Sequence, residues 1–450
     1  MSSPLSEEFV LPTNKQIGAS AHPEPDSTCT YLCGNSLGPL SRRSQTLVEE
    51  ELLAWKTHAV AGHFTTHPFG RGWVDFCDHI TPHFAALVGA AKTEVACMGT
   101  LTANLHLMMD SFYKPTSTRY KILCEAKAFP SDQYAFASQA KAHGLDPGQT
   151  VLEVSPRPGE YTLREEDILD MIAREGPSIA LVIFSGVQYY SGQWFPMEKI
   201  TRAAQDQVRA FAGCALHLAY YAQGCICGWD LAHAVGNVPL SLHNWNVDFA
   251  VWCTYKYLNS GPGSIAGLYV HEKWNETELP KFAGWWGHEP ATRFAMPPKF
   301  SPIKGAQGFQ QSNPSIFGAA SVLGSMQVFE AAGMMQPLRE RSILLTGTLE
   351  KLLMQSKHFV HVDKDLTASP GFTIITPGDP NSRGAQLSLL FFPAGLMHKV
   401  HEKLNDLGVI GDERQPDVIR LAPAPLFNTV SHCEVAAATL EAVLDAVTAS

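Results

Sequence analysis

The sequence predicts an α/β protein with a mostly parallel sheet covered by helices on both faces, followed by a smaller α+β domain. From about residue 94, short apolar strands alternate with helical patterns, which is typical of a doubly covered parallel sheet. After Asn313 the pattern changes to helices and short strands without this regular alternation. The length of 450 residues exceeds the roughly 250–300 residues at which a single core stops growing, so we expect two domains.

The individual elements follow from apolar periodicity and from turn residues at their ends. Helices are predicted at residues 44–55, 103–112, 132–143, 165–174, 317–331 and 338–355. Strands are predicted at 120–125, 179–184, 249–255, 264–270, 372–376 and 386–392, with a further strand ending at Asp230. We expect a large domain at 58–312 and a small domain at 313–450, to which an N-terminal segment, 1–57, contributes.

Composition indicates a globular protein that acts on a small molecule. Hydrophobic residues make up 45% of the chain and charged residues 17%, far from the composition of disordered chains. A net charge of −10 without a basic run argues against nucleic acid or an anionic membrane as the main partner. The ten cysteines are dispersed, which predicts reduced thiols and no metal site. The N-terminus lacks a signal-peptide pattern, so we expect a cytoplasmic protein.

Asp230 and Lys256 are the most informative pair of residues. Each ends a predicted apolar strand, and ligands of open α/β folds bind at the carboxyl ends of strands. A lysine that forms a Schiff base and a carboxylate that keeps a pyridine nitrogen protonated are what pyridoxal 5′-phosphate (PLP) requires. Taken alone, Lys256 is equally well explained as a solvated loop lysine, and Asp230 as a helix cap. Tyr255 and His233 beside them favour a PLP site.

Four further segments are candidates for ligand contacts, each with a structural alternative. Gly99 to Asn104 precedes a helix and suits an anion; the structural alternative is that Thr102 only caps the helix. Phe129 to Asp132 leads from a strand into a helix, or forms a simple proline turn. Arg420 is a cation within an apolar strand and suits a substrate carboxylate or a structural ion pair. Trp285 and Trp286 form either an exposed aromatic platform or part of the core.

From Tyr31 to about Asn428, the chain resembles the eukaryotic kynureninases. The resemblance rests on GNSLG (34–38), LTAN (101–104), EAKAFPSDQYA (125–135), FSGVQYYSGQ (184–193), WDLAHAVGN (229–237), YKYLN (255–259), GWWGHE (284–289), QSNP (311–314) and IRLAP (419–423). It implies the aspartate-aminotransferase-like fold (fold type I) with a seven-stranded sheet, and a homodimer with active sites at the subunit interface. It also implies PLP-dependent hydrolysis of L-kynurenine and 3-hydroxy-L-kynurenine to anthranilates and L-alanine, in tryptophan catabolism and NAD biosynthesis.

The resemblance also assigns roles to individual residues. It implies that Lys256 is the Schiff-base lysine, that Asp230 pairs with the pyridinium nitrogen and that Tyr255 takes part in catalysis and in the phosphate site. The other implied cofactor residues are Leu101, Thr102, Phe129, Pro130, Ser131, Asp132, Ser185 and His233, with Trp285 and Asn313 contributed across the dimer interface. The implied substrate residues are Ser36, His63, Ser312, Asn313 and Arg420.

Residues 208–223 depart from the family's continuous pattern, one strand before Asp230. Our hypothesis is that they are a translated short intron, since Val codons begin with GT and Gln223 permits a CAG end; a genuine surface loop is the alternative. Two rival functions stay open at this point. One is another fold type I enzyme, such as an aminotransferase or a cysteine desulfurase, and the other is a non-catalytic descendant that binds a ligand or partner.

Overall fold

The computed structural model describes residues 5–207, 224–366 and 369–449, so the hypothesis about residues 208–223 falls outside the described residues. The N-terminal part contains β1 (Phe9–Val10), β2 (Thr30–Tyr31), β3 (Leu40–Ser41), α1 (Arg42–His58) and α2 (Thr81–Val88). The central part contains β4 (Val95–Cys97), α3 (Leu101–Phe112), β5 (Lys121–Glu125), α4 (Pro130–Ala142), α5 (Pro147–Thr150), β6 (Val151–Val154), α6 (Glu165–Glu175), β7 (Ile179–Ser185), α7 (Met197–Asp206), β8 (Ile226–Asp230), β9 (Phe249–Trp252) and β10 (Gly267–Val270). The C-terminal part contains α8 (Pro290–Arg293), α9 (Ile316–Ala331), α10 (Met335–Met354), β11 (Gly371–Ile374), β12 (Leu387–Phe392), α11 (Leu396–Asp406), β13 (Val409–Ile410), β14 (Asp412–Arg414), β15 (Val418–Leu421) and α12 (Val430–Thr448).

A seven-stranded sheet with the order β4-β10-β9-β8-β7-β5-β6 forms the centre of the molecule. The pairs β5–β6, β5–β7, β7–β8 and β8–β9 are parallel, and β10 runs antiparallel to both of its neighbours. Alternate residues of β7 enter two separate cores: Val182 and Phe184 enter one, and Leu181 and Ile183 enter the other. Strands buried on both faces are therefore apolar throughout, and the predicted mostly parallel α/β fold is confirmed.

A second, four-stranded antiparallel sheet has the order β11-β12-β15-β14 and packs with α11 and, through its core, with α10 and α12. The N-terminal segment reaches this region, because β2 pairs in parallel with β13, and α1 packs along α9. These contacts agree with an N-terminal contribution to the small domain, although the boundaries at 57 and 312 stay predictions.

Two strands of the central sheet are each three residues shorter than the sequence predicts. β9 ends at Trp252 rather than residue 255, because the next backbone groups bind elsewhere: Gly38 N donates to Tyr255 O at 2.8 Å. β10 begins at Gly267 rather than residue 264, since Ala266 N donates to Gly99 O at 3.1 Å instead of joining the ladder. Lys256 thus lies in a loop four residues beyond its strand.

In the described parts of the chain, no single helix has both the length and the apolar composition to cross a membrane. The consecutive helices α9 and α10 meet these criteria only as a pair, and they are bent by 80° relative to each other.

Candidate active site

The carboxyl ends of adjacent parallel strands bring the predicted site residues into one row. β5 ends at Glu125, β7 at Ser185 and β8 at Asp230, and Ser185 is the direct register partner of Asp230. Lys256 follows β9, the next strand in the sheet. The row explains why residues separated by more than a hundred positions can act on one ligand.

One cavity lies over this row. Ten of its lining residues were predicted from the sequence: Leu101, Thr102, Phe129, Ser131, Asp132, Ser185, Asp230, His233, Tyr255 and Lys256. Val187, Tyr189 and Ala232 also line it and were not predicted. Their positions within the FSGVQYYSGQ and WDLAHAVGN motifs were the available signal.

The amine of Lys256 lies against a neutral imidazole. Its Nζ is 2.9 Å from His233 Nε2, and 5.8 and 5.9 Å from the ring centroids of Phe129 and Tyr255. Burial lowers the pKa of His233 well below its ordinary value, and the charge of Lys256 lowers it further. His233 can therefore accept a hydrogen bond from the ammonium through Nε2, while its buried Nδ1 has no partner among the described residues.

Two buried carboxyl groups share the cavity with this lysine. Asp230 Oδ1 accepts a hydrogen bond of 2.7 Å from Ala232 N, whereas Asp132 Oδ1 is buried without a partner in the described structure. Burial raises the pKa of both acids, and the charge of Asp230 raises that of Asp132 further. Two acids that are this short of positive charge favour a cationic ligand group.

Two helices begin at the cavity. Leu101 and Thr102 lie in the first turn of α3, and Ser131 and Asp132 lie in the first turn of α4. Thr102 Oγ1 and Ser131 Oγ are 2.7 Å apart. Thr102 is not a helix cap, because Thr100 holds that position, and free N–H groups at both helix starts suit a phosphate.

Comparison with known proteins identifies the family. A family model described as "Kynureninase C-terminal domain" matches residues 338–440. A kynureninase of Yarrowia lipolytica is 47% identical over 90% of this chain and 92% of its own length. Those of Nematostella vectensis and Saccharomyces cerevisiae are 47% and 45% identical, over 94% and 98% of this chain and 87% and 96% of theirs.

The chain belongs to the kynureninase family.

Solved structures similar to this kynureninase-family chain show the same fold at low identity. A mutant of C-DES with glycine covalently linked to its PLP cofactor superposes with a TM-score of 0.71 at 15% identity, covering 92% of this chain and 96% of that one. The cysteine desulfurase CsdA of Escherichia coli gives 0.70 at 14% identity, covering 97% and 100%. These likenesses confirm fold type I, but they do not make the chain a desulfurase.

The residues present fit the PLP of a kynureninase. The cavity has a lysine amine for the aldehyde, two acids short of positive charge for the pyridinium nitrogen, and two helix starts for the phosphate. The unpartnered Asp132 Oδ1 and His233 Nδ1 are polar atoms that such a ligand can satisfy. Pro130 is the first residue of α4 and sets its start, but it is outside the cavity lining.

The remaining expected kynureninase residues lie outside this cavity. Ser312 and Asn313 are exposed on a more open cleft of about 630 Å³, which is also lined by Gly99 and Thr100. Trp285 is 45% exposed and Trp286 only 5%, so one indole is a platform and the other is core. The ring of His63 packs edge-on against Trp73, with the ring centroids 5.0 Å apart. The backbone N–H of Ser36 donates to Cys33 O at 3.0 Å.

Arg420 has the structural partner that the sequence did not reveal. It is buried, and Asp412, its register partner on β14, accepts a hydrogen bond from its Nη2. Nη1 donates to Tyr189 O at 2.7 Å, and Nε has no partner in the described structure. The guanidinium therefore lies behind the cavity residue Tyr189, and its Nε is unused in the described structure.

Proposed function

We propose that the chain uses PLP to hydrolyse the Cβ–Cγ bond of L-kynurenine and 3-hydroxy-L-kynurenine. The products are anthranilate or 3-hydroxyanthranilate and L-alanine, within tryptophan catabolism and NAD biosynthesis. The observation that carries the proposal is the meeting of Lys256, Asp230 and His233 in one cavity, in a chain 43–48% identical to curated kynureninases over at least 90% of its length.

Each residue has a role that its contacts support. Bound PLP supplies an aldehyde that condenses with amines and a protonated ring that accepts electrons from a substrate carbon. Lys256 would hold the aldehyde of the cofactor, and its Nζ would move a proton at the substrate α-carbon. Asp230 would keep the proton on the ring nitrogen, and Phe129, which also lines the cavity, would pack on the ring.

Tyr255 and Arg420 complete the proposed machinery. Burial raises the pKa of the Tyr255 phenol, so the phenol stays protonated and can donate a hydrogen bond to the phosphate or the substrate. The unused Nε of Arg420 can donate to the substrate carboxylate if the guanidinium turns from Asp412.

Water that adds to the γ-ketone allows the Cβ–Cγ bond to break, so that the anthranilate leaves before alanine.

Lys256→Ala tests the proposal directly. We expect loss of kynurenine hydrolysis and of the borohydride-dependent covalent attachment of PLP, because the substituted site has no amine for the aldehyde. Lys141→Ala, which removes an exposed lysine of α4, is the control and should keep both properties. Kynurenine hydrolysis by Lys256→Ala at the wild-type rate would contradict the assignment.

We also propose a preference for the 3-hydroxy substrate, supported by the polar groups of Ser312 and Asn313 and by His63. A site that binds a hydroxyl discriminates against the analogue without it. We expect Asn313→Ala to lower the ratio of kcat/KM values for 3-hydroxykynurenine and kynurenine, measured on the same preparation. An unchanged ratio would remove Asn313 from this role.

A cytoplasmic homodimer with shared sites is the proposed assembly, without nucleic acid or membrane as a partner. Its support is that Trp285 and Asn313 are exposed and lie outside the Lys256 cavity. Mixing Lys256→Ala with Asn313→Ala chains under exchanging conditions should restore the ratio of kcat/KM values toward that of the wild type, because each hybrid dimer contains one intact composite site. The absence of any restoration in proven hybrid dimers would argue against shared sites.

For residues 208–223 we retain the proposal of a translated intron. The described ends on either side lie together: Cys225 N donates to Ala204 O at 3.1 Å, and a Cβ on Gly224 would lie 2.2 Å from Gln205 O. A chain that joins Gln207 to Gly224 should therefore fold, and we expect it to be the better enzyme. The proposal fails if every mature transcript retains the segment and its deletion abolishes PLP-loaded activity.

A further inference from the structure

Glu125 is a buried acid at one end of the row of strand ends, next to Ser185, and the proposed mechanism does not use it. It is 2% exposed and is not part of the cavity lining. Its Oε1 lies 2.5 Å from Ser185 Oγ, and Ser185 N donates to both carboxyl oxygens at 3.3 Å. Ser185 does line the cavity, so Glu125 can influence a bound ligand through this serine.

The protonation of Glu125 decides what Ser185 offers to the cavity. An ionised carboxylate only accepts hydrogen bonds, so the serine hydroxyl must donate to it and presents only lone pairs to a ligand. A protonated carboxyl group can donate to Ser185 Oγ, and the serine hydrogen is then free to point into the cavity. The two states therefore make the same serine either an acceptor or a donor at the ligand.

The surroundings of Glu125 favour the protonated state. The titratable groups that act on it or respond to its charge are Asp230 on β8, Asp132 on α4, Cys124 on its own strand and Tyr189. The pKa of Glu125 is raised to about 7, chiefly by burial and also by the charge of Asp230, against the opposing effect of the hydrogen bonds from Ser185 and from the backbone N–H of Glu125 itself.

We propose that Glu125 is a positioning residue whose protonated form holds Ser185 as a hydrogen-bond donor toward the PLP cavity. This inference rests on the proposed function for the identity of the ligand. The geometry that links Glu125 to Ser185 and Asp230 is independent of turnover.

The test is a pH titration of the PLP-loaded enzyme followed by infrared difference spectroscopy and by the absorbance of the bound cofactor. In the wild type, we expect a carboxylic acid band that fades as the pH rises through about 7, with a cofactor absorbance change at the same midpoint. Both changes should be absent in Glu125→Gln, whose amide cannot titrate and keeps a donor toward Ser185. Glu153→Gln, on the exposed face of β6, should keep both changes.

Ser185→Ala separates the two parts of the inference. It retains Glu125, so the infrared band should still titrate, but the coupled absorbance change should be lost. An unchanged band in Glu125→Gln, or an absorbance titration that persists in both Glu125→Gln and Ser185→Ala, overturns the inference. A titrating band in a chain that does not hydrolyse kynurenine would refute the proposed function and leave the protonated Glu125 in place.

Discussion

Glu51 and Glu125 are both buried glutamates, 0% and 2% exposed, in opposite electrostatic surroundings. The Glu51 carboxylate accepts hydrogen bonds from His67 Nε2 at 2.9 Å, Arg71 Nη2 at 2.8 Å and Trp73 Nε1 at 2.8 Å. Glu125 accepts from the hydroxyl and the N–H of Ser185 and from its own backbone N–H, and the charge of Asp230 acts on it. One acid has a full set of donors, including a guanidinium, and the other has no cation in direct contact among the described residues.

The difference shows that the donors around a buried acid distinguish a structural region from a functional one. The Glu51 cluster, defined as Glu51, His67, Arg71 and Trp73, satisfies its own hydrogen bonds and fixes the loop after α1. The row of acids is incomplete in hydrogen bonds, because Asp230 and the neighbouring Asp132 of α4 share the charge of Lys256, and Asp132 Oδ1 has no partner in the described structure. Perturbed acids of this kind, gathered in a cavity, are typical of sites that bind or react.

The largest expected effect is that of Asp230→Asn, which removes one acid from the incomplete row. We expect PLP to remain bound but kcat to fall about 10³- to 10⁴-fold, equivalent to about 4 to 5.5 kcal/mol, since a neutral amide cannot hold the ring proton. Single-turnover rates and the PLP content of the same preparation measure this. A rate within a few-fold of wild type would show that the shortage of positive charge around these acids has no catalytic purpose.

The sequence predicted the incomplete row better than the satisfied cluster. Asp230 and Lys256 could be predicted because each follows an apolar run, and parallel strands bring their carboxyl ends together. Glu125 is within a quoted motif, yet its role depends on Ser185 facing it across the sheet, which only the order of strands determines. Likewise, the pairing of Arg420 with Asp412 requires the β14–β15 register. Contacts made through loops and registers have no periodic signal, so sequence reasoning could not find them.

Glu51→Gln should have the next largest effect, which is a loss of stability. Removing the negative charge leaves Arg71 and His67 around a neutral amide, and breaking a buried ion pair costs about 4 kcal/mol. We expect the free energy of unfolding in urea to fall by this amount at neutral pH. Glu50→Gln is the control, because Glu50 contacts the same Arg71 from a more exposed position, and it should cost under about 1 kcal/mol. Equal effects of the two substitutions would dismiss the view that Glu51 organises the cluster.

Glu125→Gln should have the opposite and smaller effect, one that depends on pH. The ordinary pKa of this carboxyl is 4.5 and its folded pKa is about 7, so between these values the unfolded chain releases the proton and the folded chain does not. Wild-type stability therefore decreases as the pH rises from about 4.5 to about 7 and then levels off, a loss of about 3 kcal/mol from this group. The glutamine variant has no such loss. The difference in unfolding free energy between variant and wild type should grow by about 3 kcal/mol in favour of the variant across this range.

Glu153→Gln, at an exposed position, should show no such growth when PLP and protein concentrations are held constant. A constant difference for Glu125→Gln would mean that Glu125 is ionised at its buried position, and the contrast with Glu51 would then rest on geometry alone.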